Sequence, residues 1–318
     1  MTRSPTVLCL TMNPSVDLAT ETERVVPTHK LRCGDTLHDA GGGGINVARV
    51  LTRLGGRCTS LCPAGGSSGQ WLQARMAEEG LAATCLPIAE ETRVSFTVHE
   101  HGTGAEYRFV MPGPLLAEAE WQGVLDHLAA LQPFPDLLVA SGSSPPGVPL
   151  DFDARLARLC RERGARLVLD TSGPALAAAL KEGVWLAKPN LRELAEFSGQ
   201  ALDTPAQWQA AAQALVTAGH AEVVALTLGH LGALLVTREG LWSAAPLNIP
   251  VASAVGAGDS FVGGLVWAVQ QGQPLADAFA WGVAAGSAAL LYAGTGLSSR
   301  DDIARLRPQV QLTQLAPG

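Results

Sequence analysis

Short apolar runs alternate with helix-period segments along nearly the whole chain, and this alternation constrains the fold more than any other feature. Val7–Met12, Leu137–Ser141, Arg166–Asp170, Trp185–Lys188 and Val223–Leu228 read as buried strands. Between them, Ile45–Leu54, Gly69–Glu79, Phe152–Arg163 and Pro205–Ala218 space their apolar residues as helices with one polar face. Strands that are apolar throughout need cover on both sides. The pattern therefore predicts an α/β fold with a central, mostly parallel sheet flanked by helices. Ligands of such sheets bind beyond the carboxyl ends of the strands. The polar turns Asn13-Pro14-Ser15, Ser141-Gly142-Ser143, Asp170-Thr171-Ser172 and Lys188-Pro189-Asn190 are the first places to seek a site.

Two segments, about 17–39 and 92–111, break the alternation. The first has no helical period. In the second, Arg93–Val98 alternates, turns at Gly102-Thr103-Gly104 and continues as Tyr107–Val110, which reads as a hairpin. Together they predict a small β-sheet lid over the strand ends of a single α/β domain spanning 1–318. One greasy face on such a sheet needs a partner surface, which suggests a homodimer through the lid.

Composition excludes several classes. Hydrophobic residues make up 47% and charged residues 16% of 318, enough for a sizeable core and too apolar for global disorder. A net charge of −7 argues against nucleic acid as a partner, although a few local Lys and Arg can still hold a small anion. The six cysteines include no CxxC and no zinc spacing, as expected of reduced thiols in a cytoplasmic protein. Met1–Pro5 is polar and leads directly into an apolar run, unlike a signal peptide. Ala278–Ser299 carries no charge, but its Ala, Gly and Ser content reads as a close-packed buried helix, so no membrane association is expected.

The strongest chemical signal is Val255-Gly256-Ala257-Gly258-Asp259-Ser260, where small residues precede an apolar helical run. Bare amides of Gly256, Ala257 and Gly258 at a helix N-terminus would form an anion site. Asp259, in the first turn, either serves the helix dipole or accepts a proton from an attacking hydroxyl. In Gly41-Gly42-Gly43-Gly44-Ile45-Asn46, glycines ahead of a helix either let backbone approach a ligand or form a hinge, and Asn46 can donate to and accept from a polyol. Neither run fits GxxxxGK[ST] or GxGxxG, which disfavours a Walker-type nucleotidase or a dinucleotide dehydrogenase. Asp17 is a turn residue or a ligand of paired sugar hydroxyls. Asn190 and Glu193 are either a capping box or oxygen ligands for a water-held Mg²⁺. Lys30, Arg32, Arg93 and Arg108 are a solvated surface or a grip for a phosphomonoester.

The GGGGINVAR run, the Lys188-Pro189-Asn190 strand end and the VGAGDSFVGG segment, in this order, resemble the ribokinase-like (PfkB) sugar kinases from Thr6 to about Leu297. More narrowly, His29–Cys33, Glu106–Gly113 and Ser141–Val148 resemble the branch of minor, Pfk-2-type 6-phosphofructokinases. The resemblance implies ATP-dependent phosphorylation of fructose 6-phosphate at the C1 hydroxyl, with Asp259 as base and Gly256–Gly258 as anion hole. It implies that Asp17, Gly42, Gly43 and Asn46 hold sugar hydroxyls. Lys30, Arg93 and Ser143 would bind the sugar phosphate, Arg93 across a dimer interface. Lys188, Asn190, Thr227, Gly229 and Gly232 would meet ATP, with Asn190 and Glu193 at the Mg²⁺ water shell. Ser144 stands where many relatives have Leu, and Asn13 is more typical of 1-phosphofructokinases and tagatose-6-phosphate kinases, the alternative activities. A non-catalytic sugar-phosphate sensor is the rival of a different class. Ala254 and Gly296 replace polar residues found near a monovalent-cation site, yet backbone carbonyls alone can coordinate K⁺.

Overall fold

The computed structural model describes residues 4–292, 294 and 296–315. In chain order the strands are β1 Val7–Leu10, β2 Ser15–Thr22, β3 Leu37–Gly41, β4 Cys58–Ala64, β5 Ala82–Pro87, β6 Arg93–Glu100, β7 Glu106–Phe109, β8 Leu137–Ser141, β9 Arg166–Asp170, β10 Val184–Ala187, β11 Ala221–Thr227, β12 Ala233–Thr237, β13 Leu241–Ala244 and β14 Leu312–Leu315. The helices are α1 Gly43–Arg53, α2 Gly66–Glu78, α3 Glu118–Ala130, α4 Phe152–Arg163, α5 Gly173–Glu182, α6 Leu191–Ser198, α7 Pro205–Thr217, α8 Ala257–Gln270, α9 Leu275–Ala289 and α10 Arg300–Leu306.

Ten strands form one sheet in the order β14-β13-β12-β11-β10-β9-β8-β1-β4-β5. Pairing is parallel from β11 through to β5 and antiparallel from β11 outward to β14. This is the α/β architecture expected from the apolar runs. One face of the sheet packs against α1, α2, α8, α9 and α10, and the other against α3 to α7. Side chains alternate between the two cores along each strand: in β8, Leu137 and Val139 enter one, Leu138 and Ala140 the other.

The charge-free stretch beginning at Ala278 folds largely as α9, which ends at Ala289; Ala293 and Thr295 lie outside the described residues. Its glycines permit close helix contact. A Cβ on Gly264 would sit 2.7 Å from the Trp281 carbonyl oxygen, and one on Gly282 would sit 2.9 Å from that of Phe261. Among the described residues no helix is long and apolar enough to cross a membrane. Residues 1–3, part of the polar start, are outside them.

A second sheet of four strands, β3-β2-β6-β7, comes from the two segments that broke the alternation. β6 and β7 form the expected hairpin, while β2 pairs in parallel with β6, Ser15 opposite Arg93. Because β2 follows β1 directly, and β3 leads through Gly42 into α1, this sheet is tethered at the carboxyl end of the main sheet.

Candidate active site

The glycine run is a point of close packing, not a hinge. Gly42 has φ 114°, a left-handed value that favours glycine. A Cβ on Gly43 would lie 2.7 Å from the Ser141 carbonyl carbon and 2.8 Å from the Gly142 nitrogen, and one on Gly44 would overlap the Leu10 carbonyl. The start of α1 is therefore pressed against the ends of β1 and β8. Nothing larger fits there. This contact points Asn46 at α8, where its Nδ2 donates to Asp259 Oδ2 at 2.9 Å.

α8 begins with Gly256 at φ 70° as its N-cap, and no side chain caps it. The Gly258 amide has no acceptor within the helix, and that of Ala257 reaches only the Ala254 carbonyl, at 3.4 Å. Asp259 is the third residue of α8. Its other oxygen receives a weak bond from Ser141 Oγ at 3.4 Å. Burial, with Asp170 nearby adding repulsion, pushes its carboxyl up to about 6 against the pull of Asn46, Lys188 and Ser141. A carboxylate poised close to neutral pH beside unfilled amides suits proton abstraction.

Asp259 opens into a cavity of about 160 Å³ that also contains Asp17, Asn46, Gly42, Gly43, Gly256 and Arg93. Ser15 Oγ donates to Asp17 Oδ1. Burial raises the Asp17 carboxyl above its ordinary range, opposed by Ser15, Arg93 and Arg108. Arg93 is fixed by donating to the carbonyls of Met111 (2.7 Å) and Asn13 (2.9 Å). The lining also presents buried polar atoms without a hydrogen-bond partner among the described residues: Asn46 Oδ1, Ser95 Oγ and Arg93 Nε. Such atoms are costly to bury empty and fit a polyhydroxylated anion. A larger depression, about 630 Å³, lies at the opposite ends of β1 and β4 and contains no carboxylate.

Arg93 lines the Asp259 cavity. Two other positions fall outside it. Lys30 is exposed on the loop between β2 and β3 and does not line the cavity. Ser143 is exposed just beyond β8 and also outside the lining; its Oγ accepts from Asn13 Nδ2 at 3.4 Å. Asp170, Ser95 and Arg108 belong to the site but were not singled out as binding or catalytic residues, except that Arg108 stood among four basic candidates. The alternation of the hairpin, with Arg93, Ser95 and Thr97 on one face, could have found Ser95.

On the other side of Asp259, Lys188 pairs with Asp170 at 3.0 Å and is 6% exposed. Burial works against its charge, but Asp170, then Glu193 and Asp259, outweigh that and hold its pKa above the ordinary value. The next residues form a capping box: Asn190 Oδ1 accepts from the Glu193 amide at 2.9 Å and Glu193 Oε2 from the Asn190 amide at 2.8 Å. The cap engages one carboxylate oxygen and leaves Oε1 to other partners. Asn190 also bridges to Thr227 at the end of β11. The turn after it contains Gly229 (φ 60°) and Gly232 (φ 98°), where a Cβ would overlap the Ala244 carbonyl. A lysine, a glycine turn and a helix start thus share the strand ends beside the Asp259 cavity.

Against this geometry, the model of the pfkB family carbohydrate kinases matches residues 10–302. The chain belongs to the PfkB family of carbohydrate kinases. Among PfkB relatives, the ATP-dependent 6-phosphofructokinase isozyme 2 of Mycobacterium tuberculosis is 44% identical over 95% of this chain and 88% of its own length. The 1-phosphofructokinase of Bacillus subtilis is 32% identical over 97% of this chain and 100% of its own length. Phosphofructokinase-2 from Escherichia coli superposes with a TM-score of 0.90 in a complex with potassium, at 39% identity over 97% of this chain and 99% of that one. The same enzyme has been solved with fructose-6-phosphate and in a tetrameric inhibited form. The PfkB kinases thus share the whole fold, including the small sheet.

Proposed function

We propose that this kinase transfers the γ-phosphoryl group of ATP to the C1 hydroxyl of fructose 6-phosphate, giving fructose 1,6-bisphosphate and ADP. The observation that carries the reading is the meeting of Asp259, Asn46 and the unfilled amides at the head of α8 in one cavity with Arg93. Asp259 takes the proton of the C1 hydroxyl as its oxygen bonds to the γ-phosphorus and the bond to ADP breaks. Gly256, Ala257 and Gly258 receive the charge on the transferring oxygens. Asp17, Asn46 and the close backbone of Gly42 and Gly43 orient the sugar hydroxyls. Arg93 binds the sugar phosphate; Ser143 and Lys30, both outside the cavity lining, join it on the family resemblance alone.

Lys188, Asn190, Thr227, Gly229 and Gly232 receive the nucleotide. The residues present fit Mg²⁺ held mainly through water: Asn190 and Glu193 provide oxygen-bearing groups, and Glu193 keeps Oε1 outside the cap. Such an ion would neutralise negative charge on the phosphate oxygens during transfer. For K⁺, the buried Ser298 hydroxyl has no partner among the described residues and lies one residue after Leu297, which packs against Gly256. That orphaned oxygen is the feature a monovalent cation would use.

The small sheet serves as a lid that excludes water from the transfer. Its exposed apolar residues, including stacked Phe96 and Phe109, favour a homodimer through this sheet. Parallel ADP-release assays on fructose 6-phosphate, fructose 1-phosphate and tagatose 6-phosphate test the substrate, with the highest kcat/KM expected for the first. Preference for another sugar would reassign the substrate. Tight binding without ADP release would identify a sensor.

A further inference from the structure

Four of the six cysteines lie in the same core, on three adjacent strands: Cys9 on β1, Cys58 and Cys62 on β4, and Cys85 on β5. Cys62 and Cys85 are direct register partners in the parallel β4–β5 pair, and their sulfurs are 3.8 Å apart. Adjacent strands place such Cα atoms roughly 4.8 Å apart, inside the span of about 4.4–6.8 Å that a disulfide bridges. Cys58 is four residues from Cys62 on the same strand, about 13 Å away by strand rise, and so does not compete for it. Cys62 is fully buried, whereas Cys85 is only partly buried, on the outermost strand of the sheet.

From this placement we propose that Cys62 and Cys85 form a reversible disulfide driven by hydroperoxide, a modification site independent of the phosphotransfer chemistry. The Cys85 thiolate attacks one oxygen of hydrogen peroxide, breaking the O–O bond and giving a sulfenic acid and hydroxide. Cys62 sulfur then displaces the sulfenic hydroxyl and gives up its proton. Two thiols and one peroxide become one disulfide and two waters. The hydrogen bond between the thiols, opposed by burial, lowers Cys85 below its ordinary value; the same bond, with burial, raises Cys62. The more accessible sulfur is thus the better nucleophile, and the buried one resolves it.

Closing the sulfurs from 3.8 Å to about 2.0 Å reorients both side chains. The Cα separation that a disulfide prefers, about 5.5–6 Å, exceeds the strand spacing of roughly 4.8 Å, so the bond pushes β4 and β5 apart locally. The ends of these strands are tied to the chain leading into β6: Ile88 N donates to Ala64 O at 3.3 Å, and Thr92 N to Gly65 O at 2.9 Å. Gly65 N donates to Thr92 Oγ1 at 3.0 Å. Arg93 follows immediately. Oxidation is therefore expected to raise KM for the sugar phosphate more than it lowers kcat, a consequence that rests on the proposed role of Arg93.

The chemical test does not rest on that role. The full-length protein is exposed to a few equivalents of hydrogen peroxide, alkylated, digested with trypsin without reduction and examined by mass spectrometry. Cleavage at Arg57, Arg75 and Arg93 puts Cys58 and Cys62 on one peptide and Cys85 on the next. The expected result is a linkage between these peptides that survives Cys58→Ser, disappears in Cys62→Ser or Cys62→Ala, and is removed by dithiothreitol. Cys85 in the Cys62 variants should instead accumulate oxidised, uncrosslinked forms. No linkage at doses that oxidise the exposed Cys33, or a linkage lost in Cys58→Ser, would overturn the proposal. A linkage with unchanged KM would overturn the coupling to Arg93.

Discussion

Asp259→Asn should remove activity and make the protein more stable. An aspartate moved from 3.8 to about 6 weakens the fold by about 3 kcal/mol once fully ionised, at roughly 1.4 kcal/mol per tenfold change in proton affinity. Asp259 retains some contact with solvent through the cavity, which discounts this to the order of 1–3 kcal/mol. The amide keeps one oxygen to accept from Asn46 and can donate to Ser141, so little hydrogen bonding is lost. Because the pKa is raised in the folded state, the penalty is absent below the ordinary aspartate value. It grows with rising pH and is complete above about 6. Urea unfolding followed by tryptophan fluorescence should therefore show the variant more stable than wild type at pH 7.5, with the gap roughly halved at pH 5. In the same preparations, turnover should fall by roughly 10²–10⁴-fold with sugar-phosphate binding retained. A variant less stable than wild type at pH 7.5, or a gap that does not change with pH, would refute the claim that Asp259 is strained by burial. Near-normal turnover would refute its role as base.

Arg93→Ala removes a guanidinium held at 2.7 and 2.9 Å by two carbonyls. Losing a charge-assisted contact to phosphate should raise KM for the sugar phosphate roughly 10- to 100-fold, and an unchanged KM would remove Arg93 from the site. Asp153, 6% exposed, is pushed up to about 6 by burial alone. Asp153→Asn should stabilise the protein above pH 6 and leave KM for both substrates unchanged in steady-state assays. Gly43→Ala forces a methyl group into the Ser141–Gly142 peptide. It should cost about 1–3 kcal/mol in urea unfolding and lower kcat by shifting Ser141 and Asn46 relative to Asp259.

Much of the fold was legible because buried strands and amphipathic helices differ in period. The missed elements lacked that contrast. β4 carries Thr, Ser and Pro among its seven residues, yet its last five are buried because α1 and α2 cover one face of it and α3 the other. β13 and β14 are four-residue antiparallel strands at the other end with mixed polarity, while β12 is a buried apolar run, Ala233–Val236, separated from β11 by only a short glycine turn. For Asn190 and Glu193, both sequence readings described the same local geometry: the capping box forms, and it leaves an oxygen available.

Local order alone determined the α/β class, the glycine-led starts of α1 and α8, and the presence of an acid at the latter. These depend on backbone conformation and helix ends, which a few neighbouring residues specify. Only the tertiary structure decided which polar side chains converge. Asn46 and Asp259 are 213 residues apart and meet because Gly43 and Gly44 let α1 press onto β1 and β8. The raised proton affinity of Asp259 has the same origin. It is set by the burial around it and by Asp170 and Lys188 from distant strand ends, a sum of through-space energies that no local pattern encodes.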